Sequence, residues 1–115
     1  MKARVKWVED VTFMTESGSG HAVIIDGAPE YGGRNLGPRP MELLLMGMGG
    51  CTAFDVVTIL KKSRQDITSC EAVLDAERAD GVPAAFTKVH VHFIVKGNNL
   101  TDAQVQKAVD LSADK

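Results

Sequence analysis

MELLLMGMGGCTAFDVVTIL, residues 41–60, is the stretch whose reading decides the fold of this chain. Between Leu43 and Leu60 the only charged side chain is Asp55. Pro40 stands just before the run, where a first helical turn tolerates proline. Lys61, Lys62 and Arg64 follow it, and cations suit a helix C-terminus. The stretch therefore reads as one helix from Pro40 to about Ser63. Roughly 24 residues at 1.5 Å each make it about 36 Å long, near the length of a membrane span. Asp55 in mid-span, the three glycines Gly47, Gly49 and Gly50, and the threonines Thr52 and Thr58 favour instead the buried helix of a soluble protein, a membrane span being the minor alternative.

Such a helix is apolar nearly all round and has to be covered on every side. One chain of 115 residues offers too little to sheathe it. The economical solution is a homodimer, with two copies of this helix side by side between two sheets. Each glycine in a helix interior costs about 0.5–1 kcal/mol against alanine, so Gly47, Gly49 and Gly50 read as close-contact positions. A second arrangement stays open, in which a new helix begins at Gly49-Gly50 with Cys51 near its N-terminus.

Outward from the helix the pattern changes period. ARVKWV (3–8), VTFMTE (11–16) and HAVIID (21–26) alternate as strands around short turns and form an antiparallel meander. Residues 27–39, GAPEYGGRNLGPR, are loop. Downstream, ITSCEAVLDAE (67–77) puts Thr68, Cys70, Ala72, Leu74 and Ala76 on one side, with Ser69, Glu71, Asp75 and Glu77 mostly on the other. ADGVPAA turns the chain into FTKVHVHFIVKG (86–97). A last helix, TDAQVQKAVDLSADK, ends without a stop signal, which leads us to expect that the natural chain runs further. The order βββ–α–ββ–α is that of an α+β fold, expected as a single domain over 1–115.

Composition narrows the function classes. The chain is 44% hydrophobic and 24% charged with a formal charge of −2, the profile of an ordinary globule. The absence of a Lys/Arg cluster argues against nucleic-acid or anionic-membrane partners. MKARVKWVED has no apolar signal region, and the two cysteines are not a disulfide framework, so a reduced cytoplasmic protein is expected.

Few side chains here carry chemistry. Cys51 is either a small buried hydrophobe or a reactive thiol, and reactivity needs a cation or a helix N-terminus. In a continuous helix Cys51 lies in the fourth turn, beyond the terminal dipole. Activation then falls to a side chain, and the loop offers Arg34 and Arg39; Asp55, at i+4 on the same face, works against a thiolate. Cys70 reads as a structural core cysteine. His90 and His92 share a strand face, yet only His21 remains as a third imidazole, so no metal site is expected. GGRNLG lacks the spacing of a phosphate cradle.

PMELLLMGMGGCTAFDVV (40–57) resembles the OsmC/Ohr family, and within it the YhfA-type branch. Pro40 and Glu42 opening a long helix, and Gly49-Gly50 before Cys51, carry the resemblance, which extends to the element order of the whole chain. It implies an OsmC-like α+β fold, an intertwined homodimer with two buried central helices, and no cofactor or metal. In peroxide-reducing members the cysteine attacks an organic hydroperoxide, an arginine and a glutamate hold the thiolate ready, and a second cysteine resolves the sulfenic acid. Carried over, these roles fall to Cys51 as nucleophile, Arg34 (with Arg39 as rival) as thiolate partner and Glu42 as orienter. Three differences accompany the resemblance. Met41 occupies the place of the glutamate in the peroxidatic branches, with Glu42 on the helix face opposite Cys51. The arginine has no residue-by-residue match. A resolving cysteine would fall beyond Lys115, and Cys70 is not its counterpart. The expected protein is thus a thiol-dependent redox protein reducing small apolar hydroperoxides between walls such as Leu44, Met46, Met48 and Phe54, with reduction by an external thiol. The alternatives are a non-catalytic dimer binding an apolar small molecule, and a cysteine redox sensor.

Overall fold

The computed structural model describes residues 1–80 and 85–113. The chain falls into two compact units, one ending at Leu44 and the other beginning at Leu45.

In the first unit, β1 (Ala3–Glu9), β2 (Thr12–Ser17) and β3 (Ala22–Ile25) form an antiparallel sheet in the order β1-β2-β3. Alternation sets the faces: Trp7 pairs with Phe13 and Phe13 with Ile25, while Val5 pairs with Thr15 and Thr15 with Val23. Asp10 takes a positive φ of 50° to turn β1 into β2, and Trp7 Nε1 donates to its carbonyl at 2.9 Å. Much of the apolar face stays exposed in the single chain, Trp7 at 62% and Val5 at 60%.

The loop after β3 contains one short 3-10 turn, Pro29–Tyr31, and is organised by Asp26. This aspartate is buried. It accepts hydrogen bonds from Thr12 Oγ1 (3.1 Å) and from the backbone N–H groups of Gly27 (2.8 Å), Arg34 (3.1 Å) and Leu36 (3.2 Å). Gly37 lets the loop lie on β3, since a Cβ there would sit 1.9 Å from the Ile24 carbonyl oxygen. Burial pushes the Asp26 carboxyl up, but the hydrogen bonds from Arg34, Leu36, Thr12 and Gly27 together hold it below its ordinary value. A depressed folded-state pKa stabilises the fold above the unfolded value, and that stability is lost as pH falls through the folded one. Asp26→Asn should therefore be the less stable protein near pH 7, with the gap to wild type closing below about pH 4. Denaturant titrations across that range check it, and a gap that widens with acid would contradict it.

The helix α1 (Pro40–Lys62) is continuous through Gly49-Gly50, which excludes a new start at that pair. By length and composition alone it is long and apolar enough to cross a membrane. Its stop needs no glycine. Arg64 takes φ 59°, Arg64 N–H donates to Lys61 O (3.0 Å) and Gln65 N–H to Leu60 O (2.9 Å), the paired bonds of a Schellman end.

In the second unit, β4 (Asp66–Arg78) and β5 (Phe86–Asn98) form a long antiparallel hairpin, and α2 (Asp102–Ala113) follows. Part of the expected turn between the strands, 81–84, and the last two residues of the stretch expected as the final helix, 114–115, lie outside the described residues. Cys70, Ala72, Leu74 and Ala76 face inward, as their period of two requires. Thr68 does not. A register shift between Ile67 and Ser69 changes the phase, so Ile67 turns inward and Thr68 is exposed. The core is Val56, Leu60 and Ala108, packed against Ile59, Ile67, Cys70, Phe93, Val95, Val105 and Val109. Gln65 Oε1 accepts the backbone N–H of Thr101 at 3.3 Å and ties the end of α1 to the start of α2.

Candidate functional site around Cys51

Cys51 is exposed on α1, in the fourth turn, so no helix N-terminus acts on it. Gly47, Gly50, Cys51, Phe54 and Asp55 recur at helical spacing and line a recess of about 480 Å³ that opens to solvent. Its floor is low because a Cβ at Gly47 or Gly50 would meet nothing within 4 Å. Gly49 behaves differently: a Cβ there would lie 2.6 Å from Leu74 Cδ1. Within this chain, then, Gly49 alone of the three is a close-contact glycine, and it lets β4 approach the helix. Of the walls expected from the sequence, Phe54 lines the recess, while Leu44, Met46 and Met48 are not among its lining.

The charged residues assigned from the resemblance have local duties. Glu42 Oε1 accepts the backbone N–H of Arg39 (2.8 Å), and the Arg39 carbonyl takes the first helical bond, from Leu43 (3.0 Å). Arg39 is thus the N-cap, and Glu42 supplies half of a capping box. Nine residues at about 100° each keep Glu42 on the opposite side of α1 from Cys51. In the first unit, Arg34 Nη2 pairs with Glu9 Oε1. Hydrogen bonding to Glu9, then its charge, raises the Arg34 pKa further above its already high value. Arg39 Nη1 donates to Asn35 Oδ1 (2.7 Å) and to Gly37 O (3.3 Å).

Cys70 has the opposite setting to Cys51. It packs against the core, and burial pushes its thiol pKa up, which suits a structural cysteine. His90 and His92 are exposed on β5, opposite Asp75 and Val73 on β4. Among the described residues no group of three or more His, Cys, Asp and Glu side chains is placed to hold a metal ion.

Sequence reasoning missed Asp26, whose carboxylate fixes the backbone of the arginine loop. The available signal was an aspartate at a strand end before glycine-rich loop, since Asp side chains readily bond nearby backbone.

A long apolar helix that presents a thiol to an open recess, backed by a β-hairpin on an α+β chain, defines a class of thiol-bearing α+β proteins. Residues 32–115 match the family model described as OsmC-like protein. The chain belongs to the OsmC family. It is 52% identical over 115 residues to Protein YhfA of Escherichia coli (strain K12), covering 100% of this chain and 83% of that protein. A solved hypothetical protein from Aquifex aeolicus VF5 aligns with a TM-score of 0.80 at 26% identity, over 99% of this chain and 79% of that one. An organic hydroperoxide resistance protein OsmC from Legionella pneumophila, described as a predicted redox protein, shares the fold, with a TM-score of 0.69 at 13% identity over 98% and 81% of the two chains.

Proposed function

We propose that this protein is a thiol-dependent redox protein that reduces small organic hydroperoxides through Cys51. The observation that carries the reading is the exposure of Cys51 at an open, mostly apolar recess in an OsmC-family chain. Fold neighbours named as organic hydroperoxide resistance proteins add support. In the reaction the Cys51 thiolate attacks one peroxide oxygen and the O–O bond breaks. Cys51 becomes a sulfenic acid, and the alkoxide leaves with a proton as alcohol. One external thiol condenses with the sulfenic acid, releasing water and forming a mixed disulfide. A second thiol displaces Cys51 and leaves as the oxidised disulfide. Cys70 is held against the core and is not assigned as the resolving thiol. Arg34, or Arg39, is assigned as the guanidinium that favours the thiolate, with Glu9 competing for Arg34; Glu42, assigned as orienter, bonds the backbone N–H of Arg39, while the Arg39 guanidinium is held by Asn35 and Gly37. Loss of cumene hydroperoxide in the presence of excess dithiol tests the reading, and no protein-dependent loss would refute it.

The active form on this reading is a cytoplasmic, soluble homodimer. Leu44, Met46, Met48 and Phe54 are all exposed on α1 in the single chain, Phe54 at 71%. A helix this apolar needs a cover, and a second copy supplies one. Asp55 and the glycines within α1 fit that cover better than lipid. Light scattering at micromolar concentration should give twice the chain mass of 12.3 kDa, and a monomer would refute the dimer.

A further inference from the structure

Glycine in the middle of a helix destabilises it relative to alanine, so each one calls for a reason. Gly49 has one within this chain, the close approach of Leu74. Gly47 and Gly50 do not, because a Cβ at either position would meet nothing within 4 Å. Both instead line the recess of about 480 Å³ beside Cys51. That volume falls in the roughly 300–1,000 Å³ range of small-molecule sites. Positions i and i+4 are neighbours on a helix, so Gly47 adjoins Cys51 and Gly50 adjoins Phe54, whose side chain is itself exposed. Thiol and ring thus each stand next to a position that carries no side chain. In mid-helix the glycine N–H and C=O groups are taken up by the i→i−4 bonds of α1, so this floor presents a guest with little free polarity.

We infer that Gly47 and Gly50 are the size-determining residues of this site: their missing side chains leave room beside Cys51 for an organic substituent as broad as an aryl ring. The inference rests on the assignment of Cys51 as the reactive thiol. A side chain at either position would fill the space next to the sulfur or the ring and restrict Cys51 to guests little larger than a methyl group. The two glycines therefore set the upper size of the hydroperoxide and of the reducing thiol, while Phe54 supplies an apolar wall for the substituent. A different use of the same glycines, close packing against a second copy of the helix, would leave no such room, and the two uses give different results.

The test uses two uncharged reagents of the same chemistry and different breadth, methyl and benzyl methanethiosulfonate. In each, the Cys51 thiolate attacks the sulfenyl sulfur, a disulfide bond forms and methanesulfinate leaves. Rates are followed on the Cys51 peptide by mass spectrometry, which separates them from any reaction at Cys70. The ratio of benzyl to methyl rates cancels any change in the thiolate fraction. In the wild type that ratio should be no lower than for free cysteine, a measurement that needs no variant. Gly47→Leu and Gly50→Leu should each lower it by about tenfold, and the two alanine variants should lower it less, in the same direction. A wild-type ratio tenfold below that of free cysteine would overturn the inference, as would a ratio unchanged in all four variants. Loss of the dimer with both rates altered equally would assign the glycines to helix packing and overturn it too. An unchanged ratio alongside intact reduction of cumene hydroperoxide would leave the peroxidase reading standing. A ratio that falls as expected in a protein without hydroperoxide turnover would uphold the size selection and remove that reading.

Discussion

Replacing Cys51 by serine is expected to abolish protein-dependent reduction of cumene hydroperoxide by dithiol, lowering the rate at least about a hundredfold. A hydroxyl is neither ionised near neutrality nor able to accept oxygen as a sulfenic acid, so the variant loses the step and not merely its rate-setting environment. The substitution is nearly isosteric at an exposed position, and the fold should survive it. Wild-type protein treated with one equivalent of hydroperoxide should gain the mass of one oxygen on the Cys51 peptide, reversed by added thiol. Cys70→Ser should retain turnover, because that thiol is packed in the core with its pKa pushed up by burial. Equal rates for wild type and Cys51→Ser would leave the recess as a binding pocket for apolar ligands, or Cys51 as a sensor that does not turn over.

The second large effect concerns stability. Leu60 has no exposed surface and joins Val56 and Ala108 at the centre of the core. Leu60→Ala removes buried methyl groups and leaves a cavity between α1, β4, β5 and α2, a loss of about 3 kcal/mol. For a domain of this size, thermal unfolding should come roughly 12–18 °C earlier. Met46→Ala gives the informative contrast. Met46 is 55% exposed in the single chain, so without a partner its truncation should cost no more than about 0.5 kcal/mol. Under the cover of a second copy the cost rises to about 1–3 kcal/mol. The melting temperature should also climb with protein concentration, as mass action requires. A small Leu60→Ala effect would contradict the core assignment, and a silent Met46→Ala with a concentration-independent midpoint would contradict the dimer.

What the sequence by itself determined was whatever depends on near neighbours along the chain. The order of elements, the long helix from Pro40, the inward set of Cys70, Ala72, Leu74 and Ala76, and the structural character of Cys70 all follow from periodicity and composition. Pro40, Glu42 and Gly49-Gly50-Cys51 were enough to carry the family. Tertiary structure decided what depends on distant backbone. The glycine pair does not break α1, and its tight position is Gly49 against Leu74, twenty-five residues away in the chain. A register shift after Ile67 reverses Thr68, and no period within β4 alone announces a shift set by pairing with Gly97 and Lys96. Asp26 gathers four donors from Thr12 to Leu36, and Arg34 meets Glu9, twenty-five residues away in the chain. Side-chain period is a property of local backbone geometry and can be read residue by residue. Hydrogen-bond partners and close approaches appear only once loop closure has brought remote segments together.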